Sequence, residues 1–497
     1  MRNSGLIRLM RLAILIRKSA IFCHRWMGLA FCLLFAWWFL SGIFMMYWDY
    51  PDVSRADRLD RAQALDESKI KLSAGHAWTK LGEKGQPGGV SLAMFDGRPI
   101  YRFASGGLVY ADNGEKQEDC PEPMLLRLAS AWTSQTAEFA KREDIQLPDQ
   151  WTIGIRESLP LIKYSFPDGQ QVYVSAATGE ILQYTTTASR IQAYLGPIPH
   201  WLYFTPLRVH TELWSNLIIY ASLVGTLMAL LGLIVGVWMY SPSKRVPYVG
   251  PKRLHMILGL FFGIVTCTWA FSGMLSMDPP FLNSDPVGAS LGAGGSPSAR
   301  IQAALHPGPF HLADYVSKTP RQALEELSGQ NVKQLEFTSF DGRPVYLATV
   351  SSKEIRIIPV MGEILKEFNR DRIFEMVANA AQPATVLEHR VMTSYDAYYL
   401  DRHHRRPLPV LFVKLNDAEH SQFYIDPRTG RTLEQHSDID SFTNRWLYHA
   451  LHSWDYPWLY NHRPAWDIVV LTLMLGGLTL CVTSVIIGWQ LLRRKFR

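Results

Sequence analysis

Two histidines stand in matching apolar segments far apart in the chain. His24, Gly28, Phe31, Trp38, Ser41 and Gly42 recur, in order and at one constant separation, as His255, Gly259, Phe262, Trp269, Ser272 and Gly273. An ionisable side chain within a bilayer is costly and normally functional, and a repeated one points to a shared site. His24, Gly28, Phe31, Phe35, Trp38 and Gly42 follow steps of three and four residues, which place them on one helical stripe. His255, Gly259, Phe262, Thr266, Trp269 and Gly273 form the same stripe in the second segment. A two-fold relation between the halves would turn these stripes toward each other. Two neutral imidazoles facing across a bundle suit axial ligation of a haem iron, with glycine leaving room for a flat group and aromatics lining its walls. A lone histidine at such a depth more often sits at the membrane interface, and small-residue stripes also serve helix packing. The matched pair favours ligation.

A second concentration comprises His200 in Pro199-His200-Trp201-Leu202-Tyr203, then His210, His449, His452 and His462. Trp201-Leu202-Tyr203 recurs as Trp446-Leu447-Tyr448 and reads as an interfacial aromatic element leading back into the bilayer. His449 and His452 share a helix face, but the first half offers Phe204 and Leu207 in their places. A second haem could take His210 from one half and His452 from the other, with His449, His200 and His462 as rival ligands. Imidazole also suits zinc or copper, although no cysteine or paired carboxylate lies near for a structural zinc site. The run Asp401-Arg402-His403-His404-Arg405-Arg406 would attract an anionic substrate or metal chelate by its field, or serve only as a solvated basic loop.

Four apolar stretches, about 26–48, 214–240, 254–277 and 466–491, are long enough to cross a bilayer. Basic residues precede the first (Arg8, Arg11, Arg17, Lys18, Arg25), join the second to the third (Lys244, Arg245, Lys252, Arg253) and follow the fourth (Arg493, Arg494, Lys495, Arg497). The excess of positive charge on the cytoplasmic side then puts both termini there. The first span is read as a retained anchor, since no small-residue cleavage site follows it. The chain divides into 1–48 with the first helix, an external domain 49–212, a helix 213–240, a basic loop 241–253, a helix 254–277, a second external domain 278–465, and a last helix and tail 466–497. The net charge of +6 in 497 residues is thus mostly topological and does not point to nucleic acid. Of five cysteines only Cys120 lies outside the spans and their borders, so neither external domain can form an internal disulfide.

The repeat continues outside the membrane. Phe95-Asp96-Gly97-Arg98-Pro99 recurs as Phe340-Asp341-Gly342-Arg343-Pro344, a strong hairpin signal, and Tyr173 through Thr178-Gly179 matches Tyr424 through Thr429-Gly430. Short helices are expected near 124–136 and 320–328, and a loop at the Gly/Ser/Ala-rich run 288–298. His210, Trp214, Gly225 and Gly236 match His462, Trp466, Gly477 and Gly488 in the second and fourth spans. The expected fold is membrane α-helical plus α+β: two tandem repeats of parallel orientation. No dinucleotide fingerprint or phosphate loop is present, so electrons would come from a quinol or a cytosolic reductase.

His24-Arg25-Trp26-Met27-Gly28-Leu29, the Phe-Asp-Gly-Arg-Pro and Thr-Gly elements, Pro199 through Phe204, and Leu451-His452-Ser453 together cover most of the chain. In these the sequence resembles the PepSY-associated transmembrane family of bacteria. The resemblance implies four helices, PepSY-like α+β domains in the periplasm and a setting in the inner membrane. Some relatives are ferric-siderophore reductases carrying b-type haem, which implies two haems here with His24, His255, His210 and His452 as the ligands carried over. It also implies a ferric siderophore or chelate as acceptor. A second expectation of another class is a non-enzymatic protein whose external domains bind a peptide, protease or iron-uptake partner by strand addition.

Overall fold

The computed structural model describes residues 2–104, 106–240, 246–280, 297–306, 311–438 and 442–495. Among them four helices are long and apolar enough to cross a membrane: Met10–Met45, Thr211–Met239, Pro251–Leu275 and Ala465–Arg494. The first begins well before the expected position, in a continuous helix from Arg2 to Met45. No proline precedes Pro51, and Leu12 through Ile16 carries the apolar character back past Arg17 and Lys18. At 1.5 Å per residue its apolar length is about 54 Å against roughly 30 Å of hydrocarbon, so it either tilts or projects beyond the bilayer.

The second helix packs along the third and the fourth along the first, while first–second and third–fourth contacts close the ring. The first and third helices therefore lie diagonally across the bundle. Their histidine stripes point inward, as the periodicity requires. Phe35, Phe39, Val265, Trp269 and Cys481 fill the centre. Phe35 lies on Gly225 and Phe39 on Gly477, where any Cβ would collide with the ring.

Outside the bundle each half contributes a four-stranded antiparallel sheet under one helix. In the first half these strands are Lys141–Ile145, Leu161–Ser165, Gln171–Ser175 and Ile181–Thr185, covered by Glu122–Thr133. In the second they are Val386–Met392, Val410–Leu415, Gln422–Asp426 and Arg431–His436, covered by Arg370–Ala381. Leu125 and Ala129 on one helix, and Ile373 and Val377 on the other, anchor these layers. The expected helix at 320–328 is shorter, Pro320–Glu325. Residues 288–296 of the Gly/Ser/Ala-rich run, and 241–245 of the basic loop, lie outside the described residues, and Pro297 opens a helix to Leu305.

The third sheet joins the halves, which the division into two external domains did not anticipate. Its six strands comprise Val90–Phe95, Arg98–Phe103 and Leu108–Tyr110 from the first half and Gln334–Phe340, Arg343–Thr349 and Ile355–Pro359 from the second. Asp96-Gly97 and Asp341-Gly342 form the two-residue hairpin turns, all four at positive φ. The halves meet strand to strand, with Val90 opposite Phe337, Ser91 opposite Glu336 and Leu92 opposite Leu335. Leu335 and Phe337 are the repeat counterparts of Val90 and Leu92, so the pairing is symmetric about Ser91 and Glu336. A two-fold axis passes there.

Candidate functional site

The bundle holds two histidine pairs, one near each end. At the end bearing the basic clusters, the His24 and His255 rings face each other across the diagonal with centroids 6.2 Å apart and planes inclined by 37°. His24 Nδ1 lies 3.0 Å from the Met228 carbonyl, and since a carbonyl only accepts, this nitrogen carries the hydrogen. His255 Nδ1 lies 3.1 Å from Thr483 Oγ1 and 3.3 Å from Ser484 Oγ. Both hydroxyls donate to the Leu480 carbonyl, so they accept from the ring. Met228 and Leu480 occupy matched positions of the second and fourth helices, as do Gly232, against which His24 packs, and Ser484. A Cβ added at Gly28 would meet nothing within 4 Å, and one at Gly259 only Leu480 at 3.8 Å. The glycines beside the histidines border open space.

At the end facing the sheets the pair is His200 and His452, ring centroids 6.1 Å apart and planes inclined by 68°. His200 comes from the Pro197–His200 turn and His452 from the short helix Leu451–Ser453. His200 Nδ1 lies 3.2 Å from both Ser41 Oγ and the Trp38 carbonyl. Ser41 already donates to Trp37 O at 2.7 Å, which leaves its oxygen to accept. His452 Nδ1 lies 3.0 Å from Ser272 Oγ, itself a donor to Trp269 O at 3.2 Å. Gly42 and Gly273 lie against the two rings. Ser41-Gly42 and Ser272-Gly273 are matched positions, so the two seats are related by the repeat although the histidines themselves are not. Burial lowers His200 to about 4. Burial, reinforced by His200 and His449, lowers His452 to about 3. Both are neutral imidazoles at neutral pH.

All four rings therefore hold their hydrogen on Nδ1 and keep the Nε2 lone pair, and among the described residues no protein group bonds to any of these Nε2 atoms. Two imidazoles sharing one metal atom through bonds of about 2 Å put their ring centres roughly 6 Å apart. Fixing the other ring nitrogen to a helix group is how proteins orient such ligands. The chemistry of these donors fits a haem at each pair. Among the described residues no group of three or more His, Cys, Asp or Glu is placed to hold a metal ion.

A cavity of about 1110 Å³ extends from His200 and His452, past Trp38, Phe39 and Trp269, to an outer rim that includes Gln435 and Asn444. His449 lines it with its ring 4.5 Å from that of Tyr448 and tilted by 39°, beside the pair rather than in it. His210 does not reach the pair. It is exposed at the start of the second helix, because the chain leaves His200 through the Thr205–Arg208 turn before entering the membrane. His462 is exposed at the corresponding place before the fourth helix. The structure thus seats His200, not His210, opposite His452.

The PepSY-associated TM region family matches residues 22–252 and again residues 252–497. No curated relative matches the chain.

Proposed function

Because this chain belongs to the PepSY-associated transmembrane family in both its halves, we propose that it is a haem-dependent electron-transfer protein of the bacterial inner membrane that reduces a ferric siderophore or other ferric chelate. One observation carries the reading: two facing imidazole pairs, at 6.2 and 6.1 Å, each with Nδ1 fixed and Nε2 available. A b-type haem held there supplies a one-electron ferric/ferrous couple whose potential responds to axial imidazole, burial and hydrogen bonding. The chain's own residues do the rest. Met228, Thr483, Ser41 and Ser272 fix the ligand tautomers, and Phe35, Phe39 and Trp269 form an apolar cluster in the bundle between the pairs.

The basic clusters orient the bundle with both termini in the cytoplasm. Electrons from a quinol or a cytosolic reductase would reach the His24 pair, and the His200 pair would face the periplasmic acceptor. The partner-binding alternative gains little from the free sheet edges. Lys141-Arg142-Glu143-Asp144 and Glu388-His389-Arg390 give the first edge strand of each four-stranded sheet the charges that blunt strand addition.

The test is the visible spectrum of the detergent-purified protein, oxidised and reduced, with haem stoichiometry. Sharp b-type bands at about two haems per chain are expected for two histidine-ligated sites. A protein that stays colourless when produced with ample haem would end the electron-transfer reading. Gly232 offers a second check. Its added Cβ would lie 2.6 Å from His24 Cε1, so Gly232→Ala should displace that ring and lower haem content toward one per chain, with the other haem's bands retained.

A further inference from the structure

We infer that the acceptor docks on one side of the pseudo-symmetric protein only, in the outer part of the cavity beneath the second half's four-stranded sheet, and that Ala397 keeps this vestibule open. The inference rests on the electron-transfer reading for the acceptor's identity, but its geometry stands apart from haem.

The argument comes from one turn that occurs twice. In the first half Asp149 Oδ1 accepts from the backbone nitrogens of Trp151 and Thr152, both at 2.9 Å, and Tyr173 donates to its other oxygen at 2.8 Å. In the second, Asp396 Oδ1 accepts from Tyr398 at 2.9 Å and Tyr399 at 2.7 Å, and Tyr424 donates to its other oxygen at 3.1 Å. Tyr173 and Tyr424 are matched residues of the repeat, so Gln150 and Ala397 are equivalent. Gln150 closes its side. Its amide nitrogen donates to Tyr203 O at 2.7 Å, and its oxygen accepts from the Thr205 nitrogen at 3.2 Å and hydroxyl at 3.1 Å. That joins the first half's sheet to the segment leading from His200 into the second helix. Ala397 has no side chain to do this, and it lines the cavity with Tyr398, Arg406, His436 and Asn444.

The walls also select by charge. The cationic lining residues Arg402, Arg406 and Arg445 are balanced by Glu419, Glu434 and Asp455. Two pairs are closed internally, Arg406 with Glu434 at 2.7 Å and Arg445 with Asp455 at 2.6 Å. A compensated wall gives no net pull on a highly anionic ligand. It offers hydrogen-bonding groups above aromatic depth, which suits an uncharged ferric chelate with oxygen donors.

Gallium(III) tris(maltolate), an uncharged and redox-inert oxygen chelate, is the probe, titrated by calorimetry into the full chain in detergent beside anionic gallium citrate. We expect saturable binding of the maltolate complex, tighter than citrate. Ala397→Gln, copying the first half, and Asn444→Trp, narrowing the rim, should each weaken it about tenfold or more, or roughly 1.4 kcal/mol, with haem content retained. No saturable binding to the native chain, tighter binding of citrate, or unchanged affinity in both variants overturns the inference. Loss of haem in Ala397→Gln also overturns it, since haem itself would then fill the vestibule. A colourless native protein ends the electron-transfer reading whatever the calorimetry gives.

Discussion

His200→Ala or His452→Ala is expected to remove one haem per chain, leaving about one of two histidine-ligated sites. His24→Ala or His255→Ala should remove the other. Within each pair the two substitutions should give the same residual spectrum, and the two pairs should give different ones, because each site retains its own seat. The seats differ in kind: the Met228 carbonyl and the Thr483 hydroxyl hold one pair, and the hydroxyls of Ser41 and Ser272 the other. All four variants should lose chelate reduction, since the pairs lie in series, about 27 Å apart along the first helix. His210→Ala should retain both haems, which separates this assignment from one that pairs His210 with His452. Full haem stoichiometry in His200→Ala, or a missing haem in His210→Ala, would refute the pairing.

Asp455→Ala carries the largest expected stability change. Arg445 and Asp455 side chains are 7% and 12% exposed and meet at 2.6 Å, and a second guanidinium nitrogen donates to the Asp455 carbonyl at 2.7 Å. Removing the carboxylate strands a buried cation, a loss of about 3–5 kcal/mol. Arg445→Met combined with Asp455→Leu should recover most of it, because a buried ion pair exchanged for apolar groups is often near neutral. Denaturant unfolding in detergent measures both. An Asp455→Ala protein as stable as the native chain would show that water reaches the pair.

The membrane plan and the His24–His255 pair were legible because they rest on periodicity: matched stripes, hairpin turns at Asp96-Gly97 and Asp341-Gly342, and apolar length. The second pair was legible only as a choice of partner for His452 among His210, His200, His449 and His462, because its histidines do not occupy matched positions. Aligning Trp201-Leu202-Tyr203 with Trp446-Leu447-Tyr448 sets His200 against Arg445, while a π-helix over Phe442–Ala450 carries the chain on to His452. The signal lay instead in the seats, since Ser41-Gly42 and Ser272-Gly273 repeat faithfully beneath histidines that do not. His210 was carried over by the family resemblance, and its repeat with His462 belongs to two exposed helix starts. The six-stranded sheet was illegible for another reason. Strand pairing between distant segments depends on register in space, and neither Val90–Phe95 nor Gln334–Phe340 marks its partner.

That sheet bears on the ancestry of the chain. Leu92 and Leu335 are fully buried in the pairing between halves. A protein of one half alone would leave this apolar strand as an open edge, which invites pairing with another chain. A second copy could close it in the same register, about the same axis, and would bring its own first helix to the opposite diagonal. The tandem chain thus has within one polypeptide the two-fold strand pairing that two half-length copies would make between them, and the covalent link lets the two turns differ, Gln150 in one and Ala397 in the other.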